Sequence, residues 1–231
     1  MIADRLSENL ERVRSTIADH ARSSGRDPSE IALVAVTKRR RVELVRTLHG
    51  LGVSAFGENY PQELWEKVDA LADLNAQWHL IGHLQGNKIK KTLPTVRMIH
   101  GVDSLKLLKA LDDLASTEPN PPSVCLQVNG SGEASKHGWS AEALMLDADA
   151  IAACRAIPIV GLMTIAGYDT DAETARPTFA MVRQLRDRLR ERTGLALPHL
   201  SMGMSNDYTS AVEEGATMVR VGSSLFEGVD P

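Results

Sequence analysis

The stretch Ile31–Lys38, IALVAVTK, carries no charge until it ends on a lysine. An unbroken run of aliphatic and β-branched residues this long predicts a strand buried on both faces, as in a parallel sheet. Lys38 then falls at the carboxyl end of that strand, where open α/β sheets and β/α barrels place their chemistry. A lysine held beside an apolar wall loses hydration, which favours the neutral amine and makes it a nucleophile toward aldehydes. The competing reading makes Lys38 the first member of a solvated basic run, Lys38–Arg41, at a helix start.

Upstream, Ala3–Ser24 places Leu6, Leu10, Val13 and Ile17 at helical spacing, and Gly25, Asp27 and Pro28 close that helix off. Downstream, strand and helix patterns alternate. Strands are predicted at Ser54–Phe56, Trp78–Ile81, Arg97–Val102, Val124–Asn129, Ile157–Met163, His199–Ser201 and Thr217–Val221. Helices are predicted near Arg41–Leu51, Asn87–Leu93, Leu105–Leu114, Ala175–Arg192 and Asp207–Glu214, with one more on the Leu64, Val68, Leu71 stripe and another running through about Cys154. The prolines of Thr117–Ser123 exclude helix and central strand there. With Ile31–Lys38 this makes eight strand candidates, nearly all separated by helices. Such alternation predicts a single (β/α)8 TIM barrel spanning residues 1–231, its extra N-terminal helix covering the barrel's bottom. A doubly wound open sheet is the alternative.

A 43% apolar and 24% charged composition is that of an ordinary globular chain. A net charge of −4 gives no general pull toward nucleic acid or anionic membrane. Cys125 and Cys154 sit in apolar stretches without metal-ligand spacing, as in a reduced, cytoplasmic protein. The first residues lack the apolar core of a signal peptide, and no apolar run is long enough to span a bilayer.

In a barrel, the predicted strand ends bring Lys38, Glu58-Asn59, His83, Asp103, Asn129, Thr164, Ser201-Met202-Gly203 and Arg220-Val221-Gly222 to one rim. The loops Gly203-Met204-Ser205-Asn206 and Gly222-Ser223-Ser224 offer unhindered amides and hydroxyls where barrels commonly bind phosphate; the same glycines also suit plain tight turns. Other motifs fail on spacing. Gly82–Lys88 is one residue short of a phosphate-binding GxxxxGK loop, and Ser135 stands where a dinucleotide fingerprint needs its third glycine. His79 and His83 span a strand end rather than one helical face, so no metal site is expected, and His79 reads as a satisfied barrel residue. The basic clusters Lys38–Arg41 and Lys88–Lys91 have no neighbouring aromatics, so they read as solvated helix starts.

Seven stretches in order, AVTK (35–38), FGENY (56–60), WHLIGHLQGNK (78–88), SKHG (135–138), GLMTI (161–165), SMGMSND (201–207) and MVRVGSSLF (218–226), make the chain resemble the pyridoxal phosphate homeostasis proteins. Their fold is similar to the N-terminal barrel of alanine racemase. The resemblance implies that Lys38 forms a Schiff base with pyridoxal 5′-phosphate (PLP) and that Arg220 faces the pyridine nitrogen. It further implies that Ser201, Gly203, Ser205, Gly222 and Ser223 cradle the phosphate, that Asn59 lines the pocket, and that Lys136 is a second PLP contact. The final LFEGVDP departs from the family pattern.

A fixed charge at Arg220 disfavours a protonated pyridine, which weakens the ring as an electron sink. Racemisation also needs an acid/base opposite the lysine, and the only tyrosines are Tyr60, Tyr168 and Tyr208. The expected function is therefore a monomeric carrier or buffer of PLP that serves vitamin B6 homeostasis and passes the cofactor to apo-enzymes, with no catalytic residue assigned. A low-activity PLP-dependent racemase is the alternative.

Overall fold

The computed structural model describes residues 2–130, 137–167 and 171–229. Eight parallel strands close in sequence order: β1 (Ala32–Val36), β2 (Ala55–Glu58), β3 (Gln77–Leu80), β4 (Met98–Val102), β5 (Ser123–Val128), β6 (Ile159–Thr164), β7 (His199–Ser201) and β8 (Met218–Val221). Closure is made by β1 on β8, in register from Ala32 opposite Met218 to Ala35 opposite Val221. The helices are α1 (Ile2–Ser23), α2 (Val42–Gly50), α3 (Pro61–Ala70), α4 (Ile89–Thr92), α5 (Leu105–Ala115), α6 (Ala141–Leu146), α7 (Ala148–Ala153), α8 (Ala172–Thr193) and α9 (Tyr208–Glu213).

Successive side chains of a strand point to opposite faces, and two separate cores result. Phe56, Leu80, Ile99, Leu126, Leu162 and Val219 join the large core between strands and helices. Helix α5 supplies Leu107, Leu108 and Leu111 to it, and α8 supplies Phe179, Val182, Leu185 and Leu189. Each helix start is fixed by a side-chain cap, Ser104 accepting from the Leu107 amide and Asp171 from the Thr174 amide. Inside the barrel Met98, Cys125, Met163 and Met218 form a smaller cluster. Two residues further along their strands, His100 and Arg220 begin a polar layer above it. This inner stack positions the site.

The open-sheet alternative is excluded by closure, while several predicted boundaries shift. The sixth strand begins after Pro158 rather than including it, since proline cannot donate to the ladder. The helix expected to run through Cys154 breaks in two at Asp147, whose carboxylate accepts from the Trp139 indole at 2.8 Å. Helix α1 does not cover the bottom. It packs against α9 and α2, in the gap at the point where the barrel closes, and no helix follows β8 among the described residues. Leu6, Leu10, Val13, Ile17 and Ala21 are buried there, at about 1.5–3 kcal/mol for each of the larger side chains. Asn9 ties α1 to the chain beyond β8 by donating to the Leu225 and Glu227 carbonyls at 3.0 and 2.9 Å. No helix is long and apolar enough to cross a membrane among the described residues.

Candidate functional site

The backbone next to Lys38 is anchored before the lysine itself is presented. Thr37 donates its amide to the Gly57 carbonyl at 3.0 Å and its hydroxyl to Glu58 Oε1 at 2.6 Å, and its carbonyl accepts from Lys67 Nζ at 2.6 Å. Glu58 points away from the rim on which it was expected. Buried against α3, it pairs with Lys67 at 2.6 Å, and burial raises its pKa despite that partner. Lys38 follows in a turn whose next residue, Arg39, has φ of 58°. The lysine is exposed rather than pressed against an apolar wall: β1 ends at Val36, and residue 38 stands in the turn beyond it.

Next to β1 on the rim, β8 and its loop border the same cleft as Lys38. Arg220 is buried; one nitrogen donates to the Ser201 hydroxyl at 2.7 Å and another to the Thr164 carbonyl at 2.9 Å. Burial lowers the Arg220 pKa to about 10, so it stays cationic at neutral pH. The amides of Gly222 and Ser224 converge on the Ser205 hydroxyl oxygen, each at 3.3 Å. The loop thus aims two N–H groups at one oxygen acceptor, the arrangement an anion needs. A Cβ on Gly222 would meet Val36 at 3.3 Å, so glycine lets this loop approach β1. Asp207 braces the neighbouring loop by accepting from the Met204 amide at 2.6 Å, and its burial raises its own pKa against the pull of that bond and of Arg220.

These groups line a cleft of about 400 Å³, within the range of small-molecule sites. Of the predicted site residues the cleft collects Lys38, Asn59, Ser205, Arg220, Gly222 and Ser223. It leaves out Ser201 and Gly203. Ser201 lies beneath the floor, holding Arg220. Gly203, at φ of 92°, makes a turn where a Cβ would stand 2.6 Å from that of Ala211. Lys136 and Tyr168 lie outside the described residues. Val36, Ile81 and Ile165 form apolar walls; Asn206 of the expected phosphate loop lines the cleft, and Asp207 adds a carboxylate that the sequence did not single out. The SMGMSND stretch ends on Asp207, so the signal was present.

Below the floor the polar layer continues. His100 Nδ1 lies 2.6 Å from Ser201 Oγ, and His100 Nε2 lies 2.8 Å from His79 Nδ1. Burial lowers the pKa of both imidazoles, to about 4 for His79. The expectation of a satisfied His79 holds for one nitrogen alone; its Nε2 is buried with no hydrogen-bond partner.

A closed parallel barrel with a lysine, a buried arginine and amide loops on its carboxyl rim defines a class, the alanine racemase N-terminal barrels. The profile of the family described as "Alanine racemase, N-terminal domain" matches residues 3–230. A pyridoxal phosphate homeostasis protein of Pseudomonas aeruginosa is 40% identical over 225 residues, covering 97% of this chain and 96% of its own. Its Aquifex aeolicus counterpart is 38% identical over 219 residues, covering 95% and 96%. The structure of PipY from Synechococcus elongatus with PLP bound superposes with a TM-score of 0.85 at 34% identity, covering 96% of this chain and 99% of PipY. Alanine racemase from Corynebacterium glutamicum, 16% identical with a TM-score of 0.73 over 97% of this chain and 60% of its own, shares the fold. The chain belongs to the pyridoxal phosphate homeostasis protein family.

Proposed function

We propose that this chain binds PLP in the rim cleft and acts as a carrier or buffer of that aldehyde in vitamin B6 homeostasis, without efficient catalysis of its own. The observation that carries this reading is that Lys38 and the loop carrying the paired amides of Gly222 and Ser224, at the ends of the adjoining strands β1 and β8, border one cleft that Arg220 also lines. The donor set fits the cofactor. Ser205, Gly222, Ser223 and Ser224 would hold the phosphate, Asn59 and the apolar walls the ring, and Lys38 the aldehyde end. When bound, PLP supplies an electrophilic aldehyde carbon that condenses reversibly with a primary amine. Arg220 would keep the pyridine nitrogen unprotonated, since a fixed cation beside it opposes a second positive charge.

Exposure of Lys38 supports a carrier, because a second amine can reach an exposed anchor and take the cofactor over. The same geometry argues against the racemase alternative. Lys38, Asp207 and Arg220 are the titratable groups among the described residues that line the cleft, and Asp207 is committed to the Met204 amide. Two buried free cysteines fit a reducing cytoplasm. We further propose that the chain acts as a single-domain monomer and hands PLP to apo-enzymes.

The test is an absorbance spectrum of the full chain with added PLP, before and after borohydride, beside Lys38→Ala. Expected is a long-wavelength band that borohydride converts into a stable adduct on the Lys38 peptide and that the variant lacks. Persistence of that band in Lys38→Ala would sink the assignment of the anchor. Sustained racemase turnover lost in the same variant would sink the carrier reading.

A further inference from the structure

A cluster of chemistry-bearing side chains lies on the same rim but outside the PLP cleft. His83 follows β3, Asp103 follows β4 and His137 lies in the segment after β5. His83 Nδ1 is 2.8 Å from Asp103 Oδ2, and His137 Nδ1 is 3.5 Å from the same oxygen. The ligand-type atoms of all three lie within 4.8 Å of one another. None of the three lines the cleft. We propose that His83, Asp103 and His137 bind a borderline divalent transition cation, of which zinc is the type.

The distances suit such an ion. Zinc bonds imidazole nitrogen and carboxylate oxygen at roughly 2.0–2.2 Å, and a tetrahedron of that size has edges of about 3.4 Å. The His137–Asp103 separation already matches one edge, while the His83–Asp103 pair must open by a few tenths of an ångström. The two imidazoles stack with centroids 4.9 Å apart and planes inclined by 22°. Both rings are largely exposed, 46% for His83 and 67% for His137, so they can turn without displacing packed neighbours. Asp103 is the fixed member, its side chain 9% exposed, between β4 and the Ser104 cap of α5.

The backbone of His137 is also held. Its carbonyl accepts from Gln127 Nε2 at 3.0 Å, and the Trp139 amide donates to the Gln127 carbonyl at 2.9 Å. The Asn129 amide donates in turn to the Trp139 carbonyl at 2.9 Å, so this segment lies along the end of β5. Gly138, with φ of 117°, permits this close approach to β5: a Cβ there would stand 2.7 Å from the Gln127 carbonyl oxygen. Two imidazoles and one carboxylate select against calcium and magnesium, which demand more oxygen ligands, and in favour of zinc or cobalt. Three protein ligands leave a coordination position for water. The sequence hid this site because His83 pairs with a residue more than fifty positions away, not with His79.

The test is a titration of the chelator-treated full chain with zinc chloride against a chromophoric chelator, repeated with cobalt(II) to read the visible d–d band. Wild type is compared with His83→Ala, His137→Ala, Asp103→Asn, the His83→Ala/His137→Ala double variant and, away from the site, His20→Ala. Expected is one equivalent of zinc with an intense cobalt band typical of low coordination number. Each single variant at the site should weaken binding at least tenfold, the double variant should abolish it, and His20→Ala should leave it unchanged. PLP absorbance retained in every variant verifies that each one folds. Wild type without zinc affinity below about 100 µM, or a double variant that binds as wild type does, would overturn the proposal and leave only an imidazole–carboxylate network.

Discussion

The guanidinium of Arg220 rests on the hydroxyl of Ser201, 2.7 Å away, with both side chains buried in the upper layer of the barrel. Arg220 reaches the cleft only because Ser201 accepts from it below the floor and the Thr164 carbonyl accepts from its other nitrogen. Ser201 in turn meets His100, so the cleft's cation stands on a chain of side chains that ends at His79.

Ser201→Ala removes that acceptor and leaves a buried guanidinium N–H unpaired, at a cost of about 1–3 kcal/mol. Chemical denaturation should show that loss. PLP titration should also show weaker binding and a displaced absorbance maximum, because Arg220 would no longer be held where it opposes protonation of the pyridine nitrogen. An unchanged spectrum in a folded variant would mean that Ser201 is structural only.

Lys67→Met leaves the Glu58 carboxylate buried without its partner, a loss of about 3–5 kcal/mol at neutral pH, and Glu58→Gln/Lys67→Met should recover much of it. Glu58 already has a raised pKa from burial. A carboxyl whose folded pKa lies above its unfolded value is favoured below the unfolded pKa and penalised as pH rises through the folded one. The deficit of Lys67→Met relative to wild type should therefore shrink from pH 7 to pH 4. Because Lys67 also holds the Thr37 carbonyl, the borohydride-trapped yield at Lys38 should fall too.

Acid should weaken the fold well above the carboxylate range. Burial lowers the His79 pKa from 6.5 to about 4 and moves His100 and His199 in the same direction. A histidine with a depressed folded pKa contributes stability that is fully present above about pH 6.5 and is lost as pH falls below it. For His79 the loss at pH 5 is about 2 kcal/mol. Urea midpoints between pH 7 and pH 5 should show this slope, and His79→Gln should reduce it by about one proton's worth. Equal slopes in the two proteins would assign the acid sensitivity elsewhere.

Most of the barrel was legible because unbroken aliphatic strands such as Ala32–Val36 must be covered on both faces, and helical stripes such as Leu107, Leu108 and Leu111 must cover them. The cleft was legible where a residue stands at or past a strand end, as Lys38, Asn59 and Gly222 do. It failed one step back. Ser201 is the last residue of β7, as the predicted strand His199–Ser201 has it, but its side chain turns into the polar layer; the resemblance groups Ser201 with Ser205 at the phosphate, and only the facing of the strand's last side chain separates the floor from the rim. Glu58 was misplaced for the same reason, since alternation turns it toward α3 and the partner that explains it, Lys67, sits on a helix. The berth of α1 between α2 and α9 depends on which helices leave a gap, and that is visible only once the barrel has closed.

Ser205 offers the sharpest separation of phosphate recognition from stability. Its hydroxyl accepts from the Gly222 and Ser224 amides at 3.3 Å, both long for a hydrogen bond. Ser205 is only half-buried. Ser205→Ala should therefore change folding stability by no more than about 0.5 kcal/mol, because water can reach the released amides. It should weaken PLP binding roughly tenfold, about 1.4 kcal/mol, since the cradle loses a hydroxyl and the brace that orients two N–H groups. Pyridoxal, which carries the aldehyde but no phosphate, supplies the control: its affinity should not move. Equal weakening for PLP and pyridoxal would place Ser205 at the ring rather than the phosphate, and the β8 loop would then need another partner.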